Sequence, residues 1–133
     1  MTQFPPGSDT DRYRAGVEHL LEGRAREAVE ALSGPAGTGH REARLALGKA
    51  YLELRDGEAA RAEFSALLED PPTDAATLGY LHLLAASAHA LAGEEAAAEP
   101  HLEAAHTADP RMEHAARDLR RRLQKGRPPV IRF

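Results

Sequence analysis

Apolar residues recur every three or four positions along this chain, in seven stretches punctuated by glycine, proline and aspartate. That spacing lines one face of an α-helix. The first stretch opens at Ser8, with Asp11 three residues on as an approximate capping box, and carries Tyr13, Val17, Leu20 and Leu21 to about Glu22. Gly23 breaks it, and a short second helix carries Ala25, Ala28, Val29 and Leu32. Ser33 to Gly39, SGPAGTG, reads as a loop because nearly every residue in it ends helices. A third helix spans His40 to Arg55 with Ala43, Leu47, Ala50, Tyr51 and Leu54 inward, and Asp56-Gly57 turns the chain. The fourth carries Ala60, Phe64, Leu67 and Leu68 to about Glu69, where Asp70-Pro71-Pro72 stops it.

Thr73 or Asp74 caps a fifth, alanine-rich helix that ends near Ala92-Gly93. The sixth opens at Glu94-Glu95, where acid suits the positive end of the helix dipole, and runs to about Ala108. Asp109-Pro110 is a strong start signal, an acidic cap followed by proline at the first helical position. The seventh helix places Met112, Ala115, Ala116, Leu119 and Leu123 on one stripe and ends at Gly126. No stretch reads as a convincing strand, so the expected fold is all-α. Residues 75–93 carry no Asp, Glu, Lys or Arg, about the length that spans a bilayer. His82, Ser87, His89 and Thr77 within the run, and acidic flanks at Asp74, Glu94 and Glu95, favour a buried central helix instead.

The helices pair. Small residues fall at Gly16, Gly48 and Ala86 in the first helix of each pair, with His19, Tyr51 and His89 three residues on. Turns follow at Gly23, at Arg55-Asp56-Gly57 (displaced by two) and at Gly93. The second helices answer with Ala28, Ala60 and Ala98, then Leu32, Phe64 and Leu102 four residues later, and Pro72 and Pro110 close the later two units. This order resembles the tetratricopeptide repeat, an antiparallel helix pair of roughly 34 residues. The resemblance implies an α-solenoid of about three antiparallel helix pairs plus a C-terminal capping helix. Its units would be 9–39, 40–72 and 74–110, with the cap over 110–125. Residues 1–8 are expected to be a disordered leader, and 127–133, RPPVIRF, an apolar tail. The first unit is expected to lose the end of its second helix to the SGPAGTG loop, bending or splaying the packing there.

Members of that family are mostly adaptors that hold a protein segment in the concave groove formed by the first helix of each pair. The resemblance implies a groove lined by Tyr13, Val17 and Leu20, by Leu45, Lys49 and Leu52, and by Tyr80, Leu83 and Ser87. Val17, Ala46 and Leu84 stand where carboxylate-clamping members carry polar contacts, and the chain has no asparagine, so such a clamp is not expected. The groove is instead apolar with a few polar insertions, which suits an apolar or amphipathic partner segment. The competing reading puts Leu45, Leu52 and Leu83 in the core. The tail, with Val130, Ile131 and Phe133, is a candidate self-association element and makes a homodimer the second functional reading.

Composition narrows the chemistry further. Absence of cysteine removes disulfides, thiolate metal sites and cysteine nucleophiles together. No histidines are three or four residues apart, so none are neighbours on a helix face and no metal site is expected. No phosphate-cradling loop or nucleophile elbow is visible. No cofactor and no catalysis are expected, and the N-terminus lacks a secretory pattern, which makes the cytoplasm the expected location. Charge is polarised. From Arg111 onward eight Lys and Arg face two acids, a balance of +6, whereas the preceding residues hold nine against nineteen, a balance of −10. The basic end supplies a third reading, a nucleic-acid-associated factor, which the absence of interleaved aromatics disfavours.

Overall fold

The computed structural model describes residues 8–126. Seven α-helices follow one another: α1 (Asp9–Leu21), α2 (Ala25–Gly37), α3 (Arg41–Glu53), α4 (Gly57–Glu69), α5 (Ala75–Leu91), α6 (Glu95–Ala108) and α7 (Glu113–Gln124). A 3₁₀ turn, Pro110–Met112, leads into α7, and no strand occurs among the described residues. Each helix packs on the next, and the odd-numbered helices also touch along the array, α1 on α3, α3 on α5 and α5 on α7. The result is a solenoid-like stack of antiparallel pairs.

Short polar side chains start the helices. The backbone N–H of Asp11 donates to Ser8 Oγ at 3.2 Å, that of Ala59 to Asp56 Oδ1 at 3.1 Å, and that of Thr77 to Asp74 Oδ2 at 2.8 Å. Ser8, assigned to the leader by the unit boundaries, thus caps α1. His40 is a less usual cap, its Nδ1 accepting from Ala43 N at 3.0 Å. The stops are one device used four times. A residue with positive φ sits at Gly23, Gly39, Arg55 and Gly93. At each, the following N–H reaches back to a carbonyl five residues earlier: Arg24 to His19, His40 to Pro35, Asp56 to Tyr51 and Glu94 to His89.

Two expectations change here. The turn of the second pair is not displaced: Arg55 takes the left-handed position, seven residues after Gly48, as Gly23 follows Gly16 and Gly93 follows Ala86. Gly57 serves another purpose, since a Cβ there would lie 2.5 Å from the Ala92 nitrogen where α4 begins against the end of α5. Second, SGPAGTG is largely not a loop. α2 continues through Ser33, Gly34 and Pro35 to Gly37, and Pro35 and Ala36 are buried. The residue before a proline resists helical geometry because its Cβ meets the proline ring, and Gly34 has no Cβ. Burial of Pro35 and Ala36 then outweighs weak propensity. Only a three-residue turn separates α2 from α3, as tight as the turns within pairs.

The core is three linked clusters. Leu32, Ala28 and Ala36 of α2 meet Ala43, Leu47 and Ala50 of α3. Phe64, Leu67 and Leu52 meet Leu81, Leu84 and Ala88. Leu83 and Ala86 meet Leu102, Ala105, Ala116 and Leu119. The uncharged α5 is the shared wall of the last two, and that is why it is apolar nearly all round. Among the described residues no helix is long and apolar enough to cross a membrane.

Candidate binding groove

The first helices of the pairs, α1, α3 and α5, lie side by side, and their outward positions form the surface that the repeat spacing singles out. Six of the nine expected lining residues are partly exposed there: Tyr13, Val17 and Leu20 on α1, Leu45 and Lys49 on α3, and Tyr80 on α5. The other three are core. Leu52 is 6% exposed and packs with Phe64 and Leu84, Leu83 is 3% exposed against Leu102 and Leu119, and Ser87 is 1% exposed. The reason is that α4, α6 and α7 cover α5, and α5 in turn covers the end of α3. Positions open in a shorter array are consumed by stacking. The Ser87 hydroxyl donates to the Leu83 carbonyl at 3.1 Å, satisfying itself within the helix.

Leu45 opens onto a hollow of this face between α3, α4 and α5. Leu45, Leu67, Pro72, Thr77 and Leu81 enclose about 240 Å³, with Arg41 and Glu42 at its rim. Arg41 is structural: its guanidinium donates to the carbonyls of Leu67 at 3.2 Å and Asp70 at 2.6 Å, taking up acceptors that the end of α4 leaves without helical partners. One turn along α3, the Lys49 ammonium stands 4.8 Å over the Tyr80 ring, a cation–π contact. Burial lowers the Lys49 pKa and pushes that of the Tyr80 hydroxyl up to about 12, so the phenol keeps its proton at neutral pH. On α1, the Tyr13 ring lies 4.8 Å from that of His40, and Tyr13 and Val17 border a broad, open depression of about 490 Å³ with Asp11, Arg14 and Glu18.

Sequence spacing found Leu45 but missed its partners in the hollow. Pro72 and Thr77 read as a helix stop and a first-turn residue, and only the α4–α5 connection brings them across from Leu45. Leu67 and Leu81 read as core, which they also are. Val130, Ile131 and Phe133 lie outside the described residues. At the basic end, Arg111 pairs with Asp109, Arg117 with Glu113, Arg120 with Glu99 and Glu103, and Arg122 with Asp118. Compared with known proteins, the chain matches no family model, no curated protein and no solved structure.

Proposed function

We propose that the chain is an interaction module of the tetratricopeptide type, whose α1–α3–α5 face binds an apolar or amphipathic segment of another protein without catalysis. The observation that carries the reading is the hollow at Leu45, an apolar recess at the surface whose volume of about 240 Å³ accepts one bulky aliphatic or aromatic side chain. Burying such a side chain contributes about 1.5–3 kcal/mol, enough to anchor a segment that makes modest contacts elsewhere. The Lys49–Tyr80 pair one turn away supplies a polar, aromatic rim. A segment with an apolar anchor and a polar residue three or four positions on matches both features.

Selection of random peptides displayed on phage against the full chain tests this, followed by fluorescence anisotropy with the enriched sequences. The expected outcome is micromolar binding that Leu45→Glu weakens at least about tenfold, roughly 1.4 kcal/mol, with the helical circular dichroism unchanged. Failure to enrich any sequence, or affinity indifferent to Leu45→Glu, rejects the groove. Self-association of the full chain in light scattering that competes with peptide would assign the same face to a second copy.

A further inference from the structure

Three of the seven histidines converge on the α5–α6 pair. His82 and His89 stand two turns apart on α5, and the ring of His101 from α6 lies between theirs, with centroids 5.2 Å and 5.1 Å away. His82 Nδ1 and His101 Nδ1 are 3.0 Å apart. His89 Nδ1 lies 3.0 Å from Glu94 Oε1, and Arg61 of α4 donates to both oxygens of that carboxylate at 2.8 and 2.7 Å. The row therefore runs His82, His101, His89, Glu94, Arg61. Sequence spacing concealed it, because the contacts cross helices rather than run along one.

Two imidazole nitrogens at this distance need one proton between them. A neutral histidine has one N–H and one lone pair, so one Nδ1 donates and the other accepts. One added proton can sit on the outer nitrogen of the donor and leaves the bond intact, whereas a second makes both Nδ1 atoms donors and sets two positive charges against each other. The nearby acid cannot absorb this, since Glu94 already serves Arg61 and His89. The donors also suit protons better than a metal: among the described residues no group of three or more His, Asp or Glu is placed to hold one.

We propose that the His82–His101 contact is an acid-sensitive latch between α5 and α6, closed while one Nδ1 donates to the other and released when both rings are protonated. Desolvation supports the sign. It holds the His82 pKa below its ordinary value, and it pushes His101, beside His82 and His89, down to about 4 from 6.5. A histidine depressed in the folded state binds protons more weakly there than in an opened one. The latch is then at full strength above about pH 6.5 and weakens as the pH falls from there toward 4. What it releases is α6 with α7, which α6 carries through Leu102 and Ala105.

Amide hydrogen exchange by mass spectrometry on the full chain, corrected for intrinsic rates, reads this directly. From about pH 7 to about pH 5, protection over 95–108 and 113–124 should fall about tenfold more than over α1–α3. That excess loss should shrink in His82→Gln, which removes the facing ring but leaves His101 buried beside His89. An equal fall in all helices, or an excess as large in His82→Gln as in the unaltered chain, overturns the latch. Histidine C–H resonances of the unaltered chain test it independently of the variant's folding. Two should titrate well below the rest, and a common midpoint for all seven rejects the proposal.

Discussion

At the scale of single residues, the packing rests on empty space left at defined positions. A Cβ at Gly48 would lie 2.4 Å from Phe64 Cε1 and 2.7 Å from its Cζ, and one at Gly16 would lie 2.4 Å from Leu32 Cγ. In the third pair Ala86 and Leu102 share one buried cluster. Gly48→Ala separates two opposed effects. Alanine gains about 1 kcal/mol of helix propensity over glycine, and overpacking a filled core costs about 1–3 kcal/mol. Phe64 is fully buried and has nowhere to swing, so the overlap wins. The expected outcome is a net loss of up to about 2 kcal/mol and a melting temperature lower by roughly 5 °C in a thermal scan. A rise in melting temperature would mean that the ring has slack. These small–large pairings were legible in the sequence because both members fall at fixed spacing within a unit. The left-handed backbone at Arg55 was not, because a bulky residue there contradicts the local preference that marks Gly23 and Gly93.

Helices and turns were legible where local and tertiary preferences agree, as at Asp74, Asp109 and the proline stops. They were misread where burial overrides propensity, as in the run from Ser33 to Gly37 that completes α2. The groove was half legible for the same reason: repeat spacing names the outward face of a helix but not which later helix will cover it. The capping helix α7 shows how unequal its attachments are. Leu119 is 2% exposed against Leu83 and Leu102, and truncating such a leucine costs about 2–5 kcal/mol. Arg120 pairs with Glu99 at 2.7 Å from a one-third exposed position, where an ion pair contributes about 0–1 kcal/mol. Leu119→Ala should therefore lower the urea midpoint severalfold more than Arg120→Ala. Equal effects would show that α7 is held by charge rather than by its apolar stripe.

Across the whole molecule, the charge asymmetry of the chain is folded back on itself. Arg44 bridges to Glu63, Arg61 to Glu94 and Arg120 to Glu99, each joining different parts of the stack. The basic end is likewise engaged: of its six described cations, Arg111, Arg117, Arg120 and Arg122 face acids, leaving Arg121 and Lys125 exposed. With Arg127 and Arg132 beyond the described residues, four cations at most can meet phosphates without breaking an internal pair. Each phosphate neutralised on duplex DNA adds about 0.9 to the slope of log affinity against log salt. Any binding of a short duplex should therefore show a slope shallower than about −4 and be undetectable at physiological salt by anisotropy. A steeper slope would require Arg111, Arg117, Arg120 or Arg122 to leave its carboxylate or cations outside this end to join, and saturable binding at physiological salt would move nucleic acid ahead of a protein segment as the ligand. The acidic body favours the first outcome. Residues 1–110 carry a balance of −10, and a duplex approaching the exposed end of α7 is repelled by the rest of the array before it reaches Arg121 and Lys125.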